Sequence, residues 1–297
     1  MSKPNIKFLD PNINRKTKII DLSFKTIQNK FPLPSLVEIS NSGMCNRKCS
    51  FCPRSDPNYK DVNEFIANEL HDKICKELSE YNYKGILVYS GFNEPLLKKD
   101  IYRDIKMARK YLPEAQIEMI TNGDALNNER MKKLFDSGLS VLLISVYDGE
   151  EDMKKFQKMC DENKLEKSQY VIRKRYLSEK DNFGITLNNR SGLLENAEYS
   201  IKPLSKSLNQ VCNYPSYVFF IDYNGDCLMC SHDWGKKMIL GNINKDSFIN
   251  IWTSQRSMIA RKKLNNAERS FSPCKECDVA GNLIGNKHAN AWRKIQN

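Results

Sequence analysis

At 297 residues, with 40% hydrophobic and 28% charged content, the chain suits one large domain, or a large domain with a small appendage. No run reaches the roughly 18 apolar residues of a membrane span, and Met1-Ser2-Lys3-Pro4-Asn5 lacks the apolar core of a signal peptide. The net charge of +11 is spread out apart from short runs such as Arg173-Lys174-Arg175 and Arg261-Lys262-Lys263, so it suits anionic small molecules and does not single out nucleic acid. Ten cysteines in such a chain favour metal or redox roles over a disulfide framework, and a reducing cytoplasm is expected.

Residues 1–34 are polar and irregular and read as an N-terminal extension. Leu36–Ser40 is a strand, followed at once by Cys45, Cys49 and Cys52 in a C-x3-C-x2-C loop. Three thiolates can hold three irons of a cubic 4Fe–4S cluster and leave the fourth open to a small molecule. A structural zinc would want a fourth ligand from elsewhere, and reduced thiols are the third reading. A helical stretch is expected over Val62–Tyr81, then strands at Gly85–Ser90, Gln116–Thr121 and Ser140–Val146, with weaker ones at Gln169–Arg173 and Gly184–Leu187. Apolar strands alternating with helical segments predict a parallel sheet with crossover helices, whose functional residues gather at the strands' C-terminal ends. The cysteine loop, Gly91–Pro95, Asn122-Gly123 and Tyr147-Asp148 all fall on that edge.

Past residue 200 the pattern changes. Tyr217–Asp222 and Asp226–Met229 flank Asn224-Gly225, a hairpin signal. A helical stretch over Ser247–Leu264 and a tail containing Pro, Cys and Gly follow, and the whole piece is expected to pack directly on the sheet. Cys227-x2-Cys230 and Cys274-x2-Cys277 could form a zinc ribbon, which would make the chain a nucleic-acid binder. The 43 residues between the pairs exceed the usual ~15–20 of such ribbons. The other grouping, Cys212, Cys230, Cys274 and Cys277, supplies four thiolates for a second cluster and leaves Cys227 on the opposite face of its strand.

In this order the motifs resemble the radical S-adenosylmethionine enzymes that carry a C-terminal SPASM or "twitch" auxiliary-cluster domain. The Cys45–Cys52 loop, with Phe51 as its aromatic, matches the family's signature. Gly91-Phe92-Asn93-Glu94-Pro95 resembles its Gly-Glu-Pro motif, with Asn93 where Gly is common. Thr121-Asn122-Gly123 and Ser145–Asp148 resemble the strand ends that meet the cofactor. The resemblance implies a partial (β/α)6 barrel over 35–205 and an auxiliary domain of hairpin plus helix over 206–297. It implies a 4Fe–4S cluster on Cys45, Cys49 and Cys52, S-adenosylmethionine beside Phe51, Gly91, Asn93, Glu94, Pro95, Asn122 and Ser145, and an auxiliary 4Fe–4S cluster on Cys212, Cys230, Cys274 and Cys277.

The chemistry so implied is reductive cleavage of S-adenosylmethionine and hydrogen abstraction from a sugar- or cyclitol-like small molecule, phosphorylated and nucleotide-linked ones included. Oxidation of an alcohol, with the auxiliary cluster taking an electron, is expected, and a flavodoxin- or ferredoxin-type protein as donor. Arg190, in an Asn-Arg-Ser-Gly element that resembles one in many members, and Glu94 are the expected catalytic residues. Epimerisation, with Cys75 or Cys160 as hydrogen donor, and peptide modification are the alternatives. His71 and His288 read as surface residues, and His232 as a neighbour of the auxiliary cluster.

Overall fold

A computed structural model describes residues 12–27, 30–176, 187–197 and 200–296. The described part of the extension is not irregular: it holds helix α1 (Asn12–Leu22), which buries Ile20, and the antiparallel pair β1 (Thr26–Ile27) and β2 (Phe31–Pro32). Strand β3 (Leu36–Ser40) leads through β4 (Ser42–Gly43) into the cysteine loop. The helix expected from Val62 begins later, because Val62–Phe65 forms an exposed strand, β5, that pairs antiparallel with β4. Helix α2 then runs over Asn68–Glu80.

Three β/α units follow: β6 (Ile86–Tyr89) with α3 (Ile101–Tyr111), β7 (Gln116–Thr121) with α4 (Asn128–Asp136), and β8 (Val141–Val146) with α5 (Glu150–Glu162). Strand β9 (Tyr170–Lys174) closes the run. Every residue of β6 and β8 is buried, as a parallel strand covered on both faces requires. The candidate strand at Gly184–Leu187 lies, except for Leu187, outside the described residues.

The C-terminal region begins with a helical turn, α6 (Tyr214–Tyr217), then β10 (Val218–Asp222), β11 (Asp226–Leu228) and β12 (Ile239–Asn242). The hairpin falls where Asn224-Gly225 places it, with Gly225 at φ +88°. Strand β10 pairs parallel with β3, so the eight-stranded sheet runs β12-β11-β10-β3-β6-β7-β8-β9, with β10, β3, β6, β7, β8 and β9 parallel. The fold is α/β, six parallel strands with two antiparallel strands beyond β10, and the hairpin extends the sheet rather than sitting apart from it.

The helical stretch after Ser247 is two helices, α7 (Phe248–Trp252) and α8 (Gln255–Asn265), because Ser254 stops to cap the second by accepting from Ser257 N. Helix α9 (Asn286–Gln296) ends the chain and buries His288, Ala289 and Trp292. Between α8 and α9 the Arg261 guanidinium lies 3.8 Å from the Trp252 ring and 4.2 Å from Trp292, while donating to the Pro215 and Trp252 carbonyls. No helix among the described residues is long and apolar enough to cross a membrane.

Candidate functional site

The cysteine loop is held by two arginines that sequence reading passed over. The Arg47 guanidinium donates to Asp124 (Nε–Oδ2 2.7 Å) past the end of β7 and to Asp148 (Nη1–Oδ1 3.0 Å) past the end of β8. Its hydrogen bonds hold the Asp148 carboxyl below the usual range. Arg54, fully buried, donates to the carbonyls of Gly43 and Phe92 and pairs with Asp61. Two arginines therefore fasten the loop to the ends of β4, β6, β7 and β8.

Cys45, Cys49 and Cys52 lie close enough to feel one another's charge, and burial raises all three thiols, Cys49 to about 11. All three line one cavity of about 610 Å³. Phe51 stacks on Tyr147 at 5.5 Å, and both face the same space. Gly91, Asn93, Glu94, Asn122 and Ser145 line it too; Pro95 does not, and instead starts the tight turn behind Glu94. Gly91 has φ +103°, and a Cβ there would press the Phe220 ring at 2.8 Å, so glycine lets this strand end approach the cavity. Asn93 donates to Asn41, an anchor that a glycine would lack. Asn122 Nδ2 reaches Asn46 of the cysteine loop at 2.8 Å, and Ser145 Oγ accepts from Arg173 at 2.6 Å.

Glu94, one of the two expected catalytic residues, lines the same cavity and is engaged by its neighbours. Only 2% exposed, its carboxylate accepts from Thr121 Oγ1 (2.7 Å), Asn122 N (2.8 Å) and Leu96 N (3.0 Å), with burial raising its pKa. Every one of these bonds stays within the protein. The Glu94 carboxylate ties the turn after β6 to the end of β7.

Arg190 does face the cavity, on a backbone of three successive left-handed residues: Arg190 (φ +48°), Ser191 (+54°) and Gly192 (+81°). The first two conformations cost roughly 1–2 kcal/mol each. Asn189 holds this turn, donating to the Glu276 and Lys202 carbonyls while its own N–H donates to Asp278 at 3.0 Å. The Arg190 Nε is buried with no hydrogen-bond partner among the described residues, and the guanidinium lies 6.0 Å from the Trp234 ring. His232 sits beside it, edge-on to Tyr214 at 5.0 Å, with both ring nitrogens unpartnered among the described residues; burial and Arg190 push its pKa down to about 3. Glu38, which the sequence did not point to, also lines the cavity and accepts from Ser90 at 2.6 Å.

Cys212, Cys230, Cys274 and Cys277 come together from three places, each close enough to feel the other three, and burial raises all four thiols. A Cβ on Gly281 would collide with Cys212 Sγ, so the last loop wraps tightly around them. Cys227 faces away, fully buried in the main core and donating to Gly225 O at 3.6 Å. In donor chemistry the two sets fit two 4Fe–4S clusters: three thiols at a cavity leave one iron free, and four facing thiols close every iron. Cys75 and Cys160 are buried in the core and do not line the cavity. His71 and His288 are not surface residues; both are fully buried, His71 against Tyr89 OH at 2.8 Å and His288 against Ser35 Oγ at 2.9 Å.

Residues 39–180 match the Radical SAM superfamily and residues 212–278 the SPASM iron–sulfur cluster-binding domain. The chain is 29% identical over 245 residues to an S-adenosyl-L-methionine-dependent 2-deoxy-scyllo-inosamine dehydrogenase of Niallia circulans, covering 82% of this chain and 92% of that one. It is 27% identical to a GTP 3',8-cyclase of Clostridium perfringens over 63% of this chain and 54% of the cyclase. Among solved structures, BtrN in complex with AdoMet and 2-DOIA superposes with a TM-score of 0.73 at 25% identity, covering 87% of this chain and 98% of BtrN.

Proposed function

The chain belongs to the radical SAM superfamily and ends in an iron–sulfur SPASM domain, and from that premise we propose that it oxidises a secondary alcohol of a cyclitol- or sugar-like molecule to a ketone. The observation behind this reading is one cavity that holds both the Cys45–Cys49–Cys52 thiols and Arg190, whose buried Nε has no partner among the described residues. When bound, the triplet's cluster with S-adenosylmethionine supplies hydrogen abstraction, and the distal cluster supplies an acceptor for one electron.

The alcohol loses a hydrogen atom from carbon, a proton from oxygen and one electron. Arg190 orients the oxygen and stabilises the negative charge that grows as the proton leaves. Gly91, Asn93, Asn122, Ser145 and Phe51 form the S-adenosylmethionine wall, held in place by Glu94. Epimerisation would need a hydrogen-donating thiol in the cavity, and Cys75 and Cys160 are packed in the core instead. The proposed division puts the extension at 1–34, the catalytic unit at 35–205 and the auxiliary unit at 206–297. A flavodoxin- or ferredoxin-type donor in a reducing cytoplasm is the proposed setting, where free thiols persist.

The test uses the anaerobically reconstituted protein with a panel of cyclitols, aminocyclitols and sugars. One 5'-deoxyadenosine per ketone formed is the expected result. An epimer formed without net oxidation, or with solvent deuterium at the reacting carbon, overturns it.

A further inference from the structure

Helix α1 lies ahead of the residues that match either family, yet it builds part of the cavity. Asn12, Ile13, Lys16 and Ile20 recur at one and two helical turns, which puts them on one face, and all four line the space that the cysteine triplet lines. That face is pinned from two sides. Arg15 grips the fully buried Glu118 of β7 through two bonds, 2.6 and 2.8 Å, while Asn12 Oδ1 accepts from its Nε. Ile20 is fully buried in a cluster with Leu36, Ile86, Val88 and Val218.

Held this way, the helix presents Lys16 to the cavity. No hydrogen bond or ion pair engages its ammonium among the described residues. The acids of the cavity wall accept from neutral donors, Glu94 from Thr121, Asn122 and Leu96, Asp278 from Asn189 and Glu38 from Ser90, and none of them is paired with Lys16 among the described residues. Half-buried on the cavity wall, the ammonium is placed to meet an anion that enters. The other unengaged groups in the wall, Arg190 Nε and the His232 ring, add donor capacity rather than acidity.

We propose that Lys16 is a specificity residue of this site, holding an anionic substituent, a phosphate ester or a carboxylate, on the substrate's ring. This rests on the oxidation proposed above and narrows its substrate class. A lysine acts on such a group as a point charge, so the anion need not arrive in one fixed orientation.

The test is calorimetric binding to the anaerobically reconstituted protein, using myo-inositol 1-phosphate and glucuronate as anionic probes and myo-inositol as the neutral one. At least one anion is expected to bind about tenfold or more tightly than myo-inositol, with the margin shrinking as salt rises. Lys16→Met should bring the affinity ratio close to one, and Lys16→Arg should keep most of it, with iron content and circular dichroism intact in both. A ratio unchanged by Lys16→Met, or myo-inositol binding as tightly as both anions, overturns the proposal. Product assays separate this outcome from the parent reading. If a neutral or cationic cyclitol is oxidised and neither anion binds, the Lys16 proposal fails and the oxidation stands. If an anion binds through Lys16 but no cyclitol or sugar of any charge is oxidised, the oxidation reading fails and the binding role stands.

Discussion

The two thiol sets differ in where they open and in how they are assembled. Cys45, Cys49 and Cys52 fall within eight residues of one loop and all line the cavity. Cys212, Cys230, Cys274 and Cys277 are gathered from before α6, after β11 and a tight turn ahead of α9, and none of them lines it. The first arrangement suits a centre that must touch a small molecule; the second suits one that exchanges only electrons. Local sequence builds the open site, with Arg47 and Arg54 fastening it, whereas tertiary packing builds the closed one.

That contrast is broken most sharply by emptying the open site. Replacing Cys45, Cys49 and Cys52 with Ala should abolish reductive cleavage of S-adenosylmethionine, read as 5'-deoxyadenosine released with dithionite. Residual cleavage at the native rate would move the reaction centre elsewhere. Next in size comes the closed site. Cys274→Ala with Cys277→Ala should lower iron from about eight to about four per chain, spare some cleavage and stop ketone formation. Normal ketone yield from that variant would remove the electron-acceptor role from the distal set.

The same local-versus-tertiary divide governs what the sequence disclosed. Legible were the triplet, the strand ends at Gly91–Pro95 and Asn122-Gly123, and the Asn224-Gly225 hairpin, because each depends on residues a few positions apart. That Cys227 turns to the opposite face from Cys230 was legible too, through strand alternation. Helix α1 was not, since its helical state rests on Arg15 reaching Glu118, 103 residues away. Val62–Phe65 read as helix because its strand conformation depends on pairing with Ser42-Gly43. The burial of His71 was hidden for a similar reason: its partner Tyr89 and the nearby Lys98–Asp104 pair (2.6 Å) come from other elements.

A smaller effect tests whether the two sites depend on the far end of the sheet. His288 lies on α9 against Ser35, just ahead of β3, and burial, with Lys287 adding to it, pushes its pKa down to about 3. A depressed histidine binds its proton more weakly folded than unfolded. Its stabilising contribution is therefore full above the unfolded value of about 6.5 and is lost as pH falls from there toward 3, by roughly 1.4 kcal/mol per unit. His288→Asn should flatten that acid limb, seen as a smaller fall in Tm between pH 7 and pH 5, with iron content unchanged at pH 7. A fall in Tm as steep as in the parent would place the acid sensitivity elsewhere.

The smallest effect bears most directly on how the closed site is drawn. Cys227 sits three residues before Cys230, in the same C-x2-C pair that a zinc ribbon would use. In the fold it points into the main core, and burial raises its thiol well above the usual range. Cys230, on the loop that follows, meets Cys212, Cys274 and Cys277 instead. Cys227→Ala should therefore keep the full iron and sulfide content and native ketone yield, while losing roughly 1 kcal/mol of stability from one emptied core position. A variant that loses half its iron would instead make Cys227 a ligand and open the distal set to regrouping. The physical reason to expect otherwise is strand β11 itself. Alternation sends Cys227 to one face of the sheet, and Cys230 meets Cys212, Cys274 and Cys277 beyond the strand's end, where the chain is free to turn toward them.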